Sequence, residues 1–151
     1  MIVALASDHA GFTLKQELVA FVRGLGHTAV DLGTDSTVSC DYPDFAEKIA
    51  AEILGGRAEK GILLCGSGVG ASVAANKIPG IRAGNCEDYY SAHQGVEHDA
   101  MNVLVLGGRI VGGALAQDMV RAYLEAKYTN EERHARRLAK VKAIEARYSR
   151  T

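Results

Sequence analysis

Gly61-Ile62-Leu63-Leu64-Cys65-Gly66-Ser67-Gly68-Val69-Gly70-Ala71 decides how this chain folds. A short apolar run ends in a cysteine, a glycine-rich turn follows, and Ser72-Val73-Ala74-Ala75-Asn76-Lys77 continues with helix-forming character. A strand that feeds a glycine loop and then a helix aims several backbone N–H groups at one spot, and the helix dipole adds partial positive charge there. An anion suits that spot, whether a phosphate or an oxyanion formed during a reaction. Cys65 places a potential base or nucleophile beside it.

The same alternation extends in both directions. Ile2–Ser7 reads as a first strand, and a helix from about Thr13 to Leu25 carries Leu14, Leu18, Phe21 and Val22 on one face. Gly24 and Gly26 punctuate its end before a second strand, Ala29–Leu32. A helix over Tyr42–Leu54 has Pro43 near its start, where proline is favoured. The third strand, Gly61–Cys65, leads to a helix over Val69–Lys77, and the fourth, Ile81–Cys86, to one over Asp88–Glu97. A fifth strand, Asn102–Leu106, precedes a helix over Gly112–Lys127, and a long last helix covers Glu131–Tyr148. Repeated βα units predict a single α/β domain over residues 1–151, a parallel sheet covered by helices on both faces.

No apolar run approaches the roughly 20 residues needed to cross a bilayer, and the first residues lack the basic-then-apolar pattern of a signal peptide. Three cysteines without close pairing fit a reducing cytosol better than a disulfide framework, so a cytoplasmic location is expected. Residues 131–151 hold seven Lys/Arg (133, 136, 137, 140, 142, 147, 150) against three Glu, a net of +4 that leaves −5 in the rest of the chain. That tail suits an anionic contact. Nucleic acid is a poor candidate for it, because only 6% of residues are aromatic and the remainder is acidic. A phosphate clamp of Arg133, His134 and Arg137 fits better, since guanidinium groups at i and i+4 share a helix face.

In open parallel sheets, ligands bind beyond the carboxyl ends of the strands. Ser7-Asp8-His9-Ala10-Gly11, the Cys65 loop and Gly107-Gly108-Arg109 stand at those ends. Asp8 reads either as a helix cap or, with His9, as a proton-handling pair. His98-Asp99 falls in the turn before the fifth strand and reads either as surface or as site. Gly66-Ser67-Gly68-Val69-Gly70-Ala71 also satisfies the dinucleotide-binding fingerprint, with Glu87 or Asp88 as the acidic residue further on. That reading leaves Cys65, Asp8-His9 and the basic tail without a role. No zinc-ligand spacing is present, and neither metal nor cofactor is expected.

Taken together, Ser7-Asp8-His9-Ala10-Gly11-Phe12, Asp41-Tyr42-Pro43, Cys65-Gly66-Ser67-Gly68-Val69-Gly70, Ala75-Asn76-Lys77 and Ile81-Arg82-Ala83 resemble the ribose-5-phosphate isomerase B family, which also takes in galactose-6-phosphate and allose-6-phosphate isomerases. His98, Asn102-Val103-Leu104, Gly107-Gly108-Arg109 and Arg133-His134-Ala135-Arg136-Arg137 extend the likeness over almost the whole chain. The resemblance implies a Rossmann-like three-layer α/β/α fold, five parallel strands ordered 2-1-3-5-4, and an extended C-terminal helix. It further implies an aldose–ketose isomerase, acting on ribose 5-phosphate or on another sugar phosphate, with its site shared between two subunits of a homodimer or dimer of dimers.

By the same resemblance Cys65 is the base, and the amides of Gly66, Ser67, Gly68 and Gly70 hold the enediolate. Ser67 handles hydroxyl protons and His98 opens the sugar ring. Asp8, His9 and Tyr42 line the sugar, while Arg109, Arg133, His134 and Arg137, with help from His9, hold the phosphate. Asp99 stands where relatives carry asparagine; a carboxylate accepts hydrogen bonds but cannot donate them, which bears on sugar preference.

Overall fold

The structure is a computed structural model that describes residues 1–149; Arg150 of the basic tail lies outside the described residues. Parallel strands covered on both faces need side chains that tolerate burial at every position. Strands β1 (Ile2–Ser7), β3 (Lys60–Cys65) and β5 (Val103–Gly107) meet that demand, each buried along all but at most its first residue. With β2 (Thr28–Asp31) and β4 (Ala83–Asn85) they form one five-stranded parallel sheet in the order β2-β1-β3-β5-β4. In register, Leu5 faces Ile62 and Ile62 faces Leu104.

Side chains alternate faces along each strand, so the sheet feeds two cores. Val3, Leu5, Ile62, Leu64, Leu104 and Leu106 pack on one face with α1 (Phe12–Gly24), α4 (Tyr89–Asp99) and α5 (Gly113–Glu125). Ala6, Leu63, Cys65, Val103 and Val105 pack on the other with α2 (Tyr42–Leu54) and α3 (Val69–Ala75). Each large side chain so buried contributes about 1.5–3 kcal/mol. The catalytic candidate Cys65 thus belongs to the α2/α3 face. Helix α6 (Glu132–Tyr148) lies outside both cores, and His134 is its buried residue.

Three of the departures from the sequence pattern have a visible cause. Strand β4 is shorter than Ile81–Cys86, because the Arg82 N–H donates to the Asn102 side chain and the Ile81 N–H to the Ile78 carbonyl, so the ladder starts at Ala83. Helix α4 runs through His98 and Asp99, which occupy its last turn rather than the connection to β5. Helix α5 stops at Glu125 rather than Lys127, where the Lys60 ammonium reaches from β3 to the carbonyls of Tyr123 (2.7 Å) and Ala126 (3.1 Å).

Gly11 marks a close crossing of the fold near the site. A Cβ there would lie 2.6 Å from Leu64 Cβ and 3.0 Å from the Leu64 carbonyl carbon. Neither atom can swing away, so Gly11→Ala is expected to cost about 1–3 kcal/mol by overpacking, read as a lowered urea midpoint with an unchanged denaturant slope.

Candidate active site

The C-terminal ends of β1, β3 and β5 bring three loops to one edge of the sheet. Cys65 is opposite Gly107 in register, and Ser7 is opposite Leu64. Beyond the strands the Gly108 N–H donates to the Cys65 carbonyl (2.8 Å) and the Arg109 N–H to the Gly66 carbonyl (2.9 Å), laying the β5 loop along the glycine loop. A Cβ on Gly66 would come 3.3 Å from an Arg109 guanidinium nitrogen, and one on Gly70 would come 2.6 Å from the Tyr42 ring. Arg109 and Tyr42 therefore flank the loop that Cys65 begins.

Cys65 is 4% exposed, and its sulfur receives the Gly68 N–H at 3.2 Å. That bond requires the chain to double back, which it does through a left-handed Gly68 (φ +84°). The Ser67 hydroxyl accepts the Val69 N–H at 3.2 Å and is exposed at the loop's tip. Asp8, 5% exposed, caps the turn His9–Gly11 by accepting the N–H groups of Ala10 (3.0 Å) and Gly11 (3.2 Å). Both bonds fall on Oδ1, so the cap and a role for Oδ2 at the site are compatible. His9 Nδ1 accepts the Cys40 N–H at 3.2 Å, which leaves the ring proton of a neutral His9 on Nε2.

Cys65, Ser67, Gly66, Gly68, Gly70, Asp8, His9, Tyr42 and Arg109 accordingly gather at one edge. His98, Asp99, Arg133, His134 and Arg137 do not join them. Helix α4 returns from the C-terminal end of β4 to the N-terminal end of β5, so its last turn lies at the opposite edge of the sheet. The length of β5, roughly 16 Å at about 3.3 Å per residue, separates the two groups. There the His98 and His134 rings stack with centroids 3.9 Å apart, and Arg133 Nε donates to His134 Nε2 at 3.2 Å. Arg137 follows one helical turn after Arg133. Asp99 is exposed and lines a groove of about 560 Å³ between α6 and the β4 edge, together with Arg82, Lys142, Val141, Ile144 and Tyr148.

Sequence reasoning missed Asn85, which ends β4 beside the glycine loop. Its amide donates to the Ser67 carbonyl at 3.4 Å, and it occupies the space that a Cβ on Gly68 would need. Its position at a strand's carboxyl end was the available signal. Gln94 and Thr129 were missed as well; they hold the ring nitrogens Nδ1 of His98 (2.8 Å) and His134 (2.9 Å), contacts that no spacing in the sequence reveals.

Burial first, and then His98, Arg133 and Arg137, lower the proton affinity of His134 below the ordinary histidine value, with Glu131 opposing them. The folded chain then binds fewer protons here than the unfolded chain. Stability from this group is complete above about pH 6.5 and is lost as pH falls through the lowered value. Melting temperature measured from pH 7.5 down to about pH 5 should fall less steeply in His134→Gln than in the parent chain.

The family described as Ribose/Galactose Isomerase matches residues 3–141. Ribose-5-phosphate isomerase B of Escherichia coli is 45% identical over 145 residues, which are 96% of this chain and 97% of that protein. The galactose-6-phosphate isomerase subunit LacB of Clostridium acetobutylicum is 38% identical over 85% of this chain and 74% of its own length. Among solved structures, ribose-5-phosphate isomerase B of Clostridium thermocellum superposes with a TM-score of 0.96 at 44% identity, covering 99% of this chain and 100% of that one. A likeness of sequence and of backbone that runs nearly end to end leaves one assignment: the chain belongs to the ribose/galactose isomerase family.

Proposed function

We propose that the chain interconverts ribose 5-phosphate and ribulose 5-phosphate by proton transfer through an enediolate. The observation that carries the reading is the buried Cys65 sulfur under the Gly68 N–H, at an edge that also holds Asp8, His9, Tyr42 and Arg109. In the open-chain aldose, Cys65 takes the proton from C2. The C–H electrons form the C1=C2 bond and the carbonyl electrons move onto O1, where loop N–H groups and Ser67 stabilise the charge. The proton returns to C1 while the O2 proton passes by way of the Ser67 hydroxyl to O1, and a ketose results. Asp8, His9 and Tyr42 line the sugar, and Arg109 with Arg133 and Arg137 serves its phosphate.

His98 is assigned to opening the furanose ring, so the second group of residues must reach Cys65 from another copy of the chain. Support comes from exposed apolar side chains on two helices: Val69 (58%) and Val73 (57%) on α3, and Val141 (51%), Ile144 (57%) and Tyr148 (74%) on α6. A second copy would cover such a surface. The working unit in this reading is a homodimer, or a dimer of dimers, in the cytoplasm.

Turnover of ribose 5-phosphate, allose 6-phosphate and galactose 6-phosphate compared side by side tests the substrate. Ribose 5-phosphate is expected to give the highest kcat/KM. Asp99→Asn is expected to improve it severalfold further relative to the other two, because an amide can donate to a hydroxyl that a carboxylate cannot serve. A hexose phosphate ranked first would redirect the reading to another member of the same reaction class.

A further inference from the structure

His134 has no ring nitrogen to offer a substrate. The ring is 2% exposed; Nε2 accepts from Arg133 Nε at 3.2 Å, and Nδ1 lies 2.9 Å from the Thr129 hydroxyl. One tautomer satisfies every contact in this chain. With the proton on Nδ1, His134 donates to Thr129 Oγ1, and that hydroxyl donates onward to the Glu97 carbonyl at 3.2 Å. The Thr129 N–H donates to the same carbonyl at 3.1 Å. Glu97 directly precedes His98, so the network that locks His134 closes on the backbone beside the ring on which His134 stacks.

His98 is held from two sides. The His134 ring lies against it at 3.9 Å between centroids and 25° between planes. Gln94, one turn earlier on α4, reaches His98 Nδ1 at 2.8 Å. Nε2 is then the nitrogen left for chemistry. Ring opening breaks the C1–O4 bond of the furanose. O4 keeps the electron pair and takes a proton from an acid, while O1 loses its proton to water and becomes the aldehyde oxygen. The acid must stand at a fixed place relative to O4, because a misplacement of about 1 Å costs on the order of a hundredfold in rate.

We propose that His134 is a positioning residue that holds the His98 ring for the ring-opening step, and not a ligand of the substrate phosphate. Arg133 remains available to the phosphate through the guanidinium donors that neither His134 nor Glu131 takes. The proposal rests on the reading of His98 as the ring-opening acid.

Two reactions of the same enzyme separate the steps. Ribose 5-phosphate enters as a ring, whereas ribulose 5-phosphate is open, since its C5 oxygen carries the phosphate and cannot close a furanose. Exchange of the ribulose 5-phosphate C1 proton with deuterated water therefore reports proton transfer without ring opening. Competitive inhibition by inorganic phosphate reports the phosphate subsite.

His134→Gln keeps an acceptor for Arg133 but loses the stack. It is expected to lower kcat/KM for ribose 5-phosphate about tenfold or more, with C1 exchange and phosphate inhibition changed by less than about threefold. Thr129→Val, an exposed position that leaves the core intact, should give the same selective loss to a smaller extent. His98→Asn, run in parallel, must show a still larger selective loss. If it lowers both reactions equally, the ring-opening role of His98 fails and the proposal falls with it. If His98→Asn behaves as expected but His134→Gln lowers both reactions together and weakens phosphate inhibition about tenfold, His134 is a phosphate ligand. If neither His134→Gln nor Thr129→Val moves the ratio, the stack has no part in the step.

Discussion

Cys65→Ala loses turnover by about three orders of magnitude or more while it still binds the sugar phosphate. General acid–base groups contribute typically 10²–10⁴-fold, and Cys65 is asked to serve both halves of the transfer, removal at C2 and delivery at C1. The groups proposed to bind the substrate, Asp8, His9, Tyr42 and Arg109, are untouched by the substitution. Loss should therefore appear in kcat, with inhibition by a substrate analogue changed little. Solvent deuterium should stop entering C2 of ribose 5-phosphate and C1 of ribulose 5-phosphate. The fold should survive, because the change removes one sulfur from a packed position and costs about 1–3 kcal/mol. Near-normal exchange in the variant would remove Cys65 from the mechanism.

Mixing two chains that each fail to turn over ribose 5-phosphate should restore that activity. Cys65→Ala supplies a sound His98, and His98→Asn supplies a sound Cys65. If each site takes Cys65 from one copy and His98 from the other, a hybrid pair holds one complete site and one doubly broken site. Random reassortment makes half of the pairs hybrid, so about a quarter of the parent activity returns, since the two positions exchange reciprocally across a two-fold axis. The observation behind this expectation is the placement of the two residues at opposite edges of one sheet. Each pure variant, unfolded and refolded alone, stays inactive. If refolding the mixture recovers nothing while hybrid pairs are demonstrably present, both residues act within one chain.

The central strands were legible because burial on both faces leaves a run of apolar residues, as in Ile62-Leu63-Leu64. The edge strand β4 was legible in place but not in length, since an edge position relaxes that demand and Arg82 could turn aside to Asn102 and the Ala100 carbonyl. The end of α4 was misplaced because its stop is Ala100 in the left-handed region (φ 52°), where a glycine or asparagine is the usual signal. The glycine loop with Cys65 was readable, because the need for φ > 0 and for close backbone approach writes itself into residue types. What the second group of residues does within one chain was not readable. Arg133-His134 suggests a pair of phosphate ligands in sequence, yet helical geometry turns His134 inward onto His98 while Arg133 stays exposed.

Helix α6 is fastened to the body at few points: the His134 ring at its first turn and the Glu145 carboxylate, which accepts the Gly80 N–H at 3.0 Å, near its last. Local opening of this helix within one chain is accordingly expected to cost less than opening of the sheet. If Arg133 and Arg137 hold the phosphate as proposed, they do so only while the helix is docked, and the apparent dissociation constant equals the intrinsic one divided by the docked fraction. Any change that favours docking raises affinity without touching a single ligand contact. By reciprocity, an occupied site holds the helix down and shields its amides from exchange.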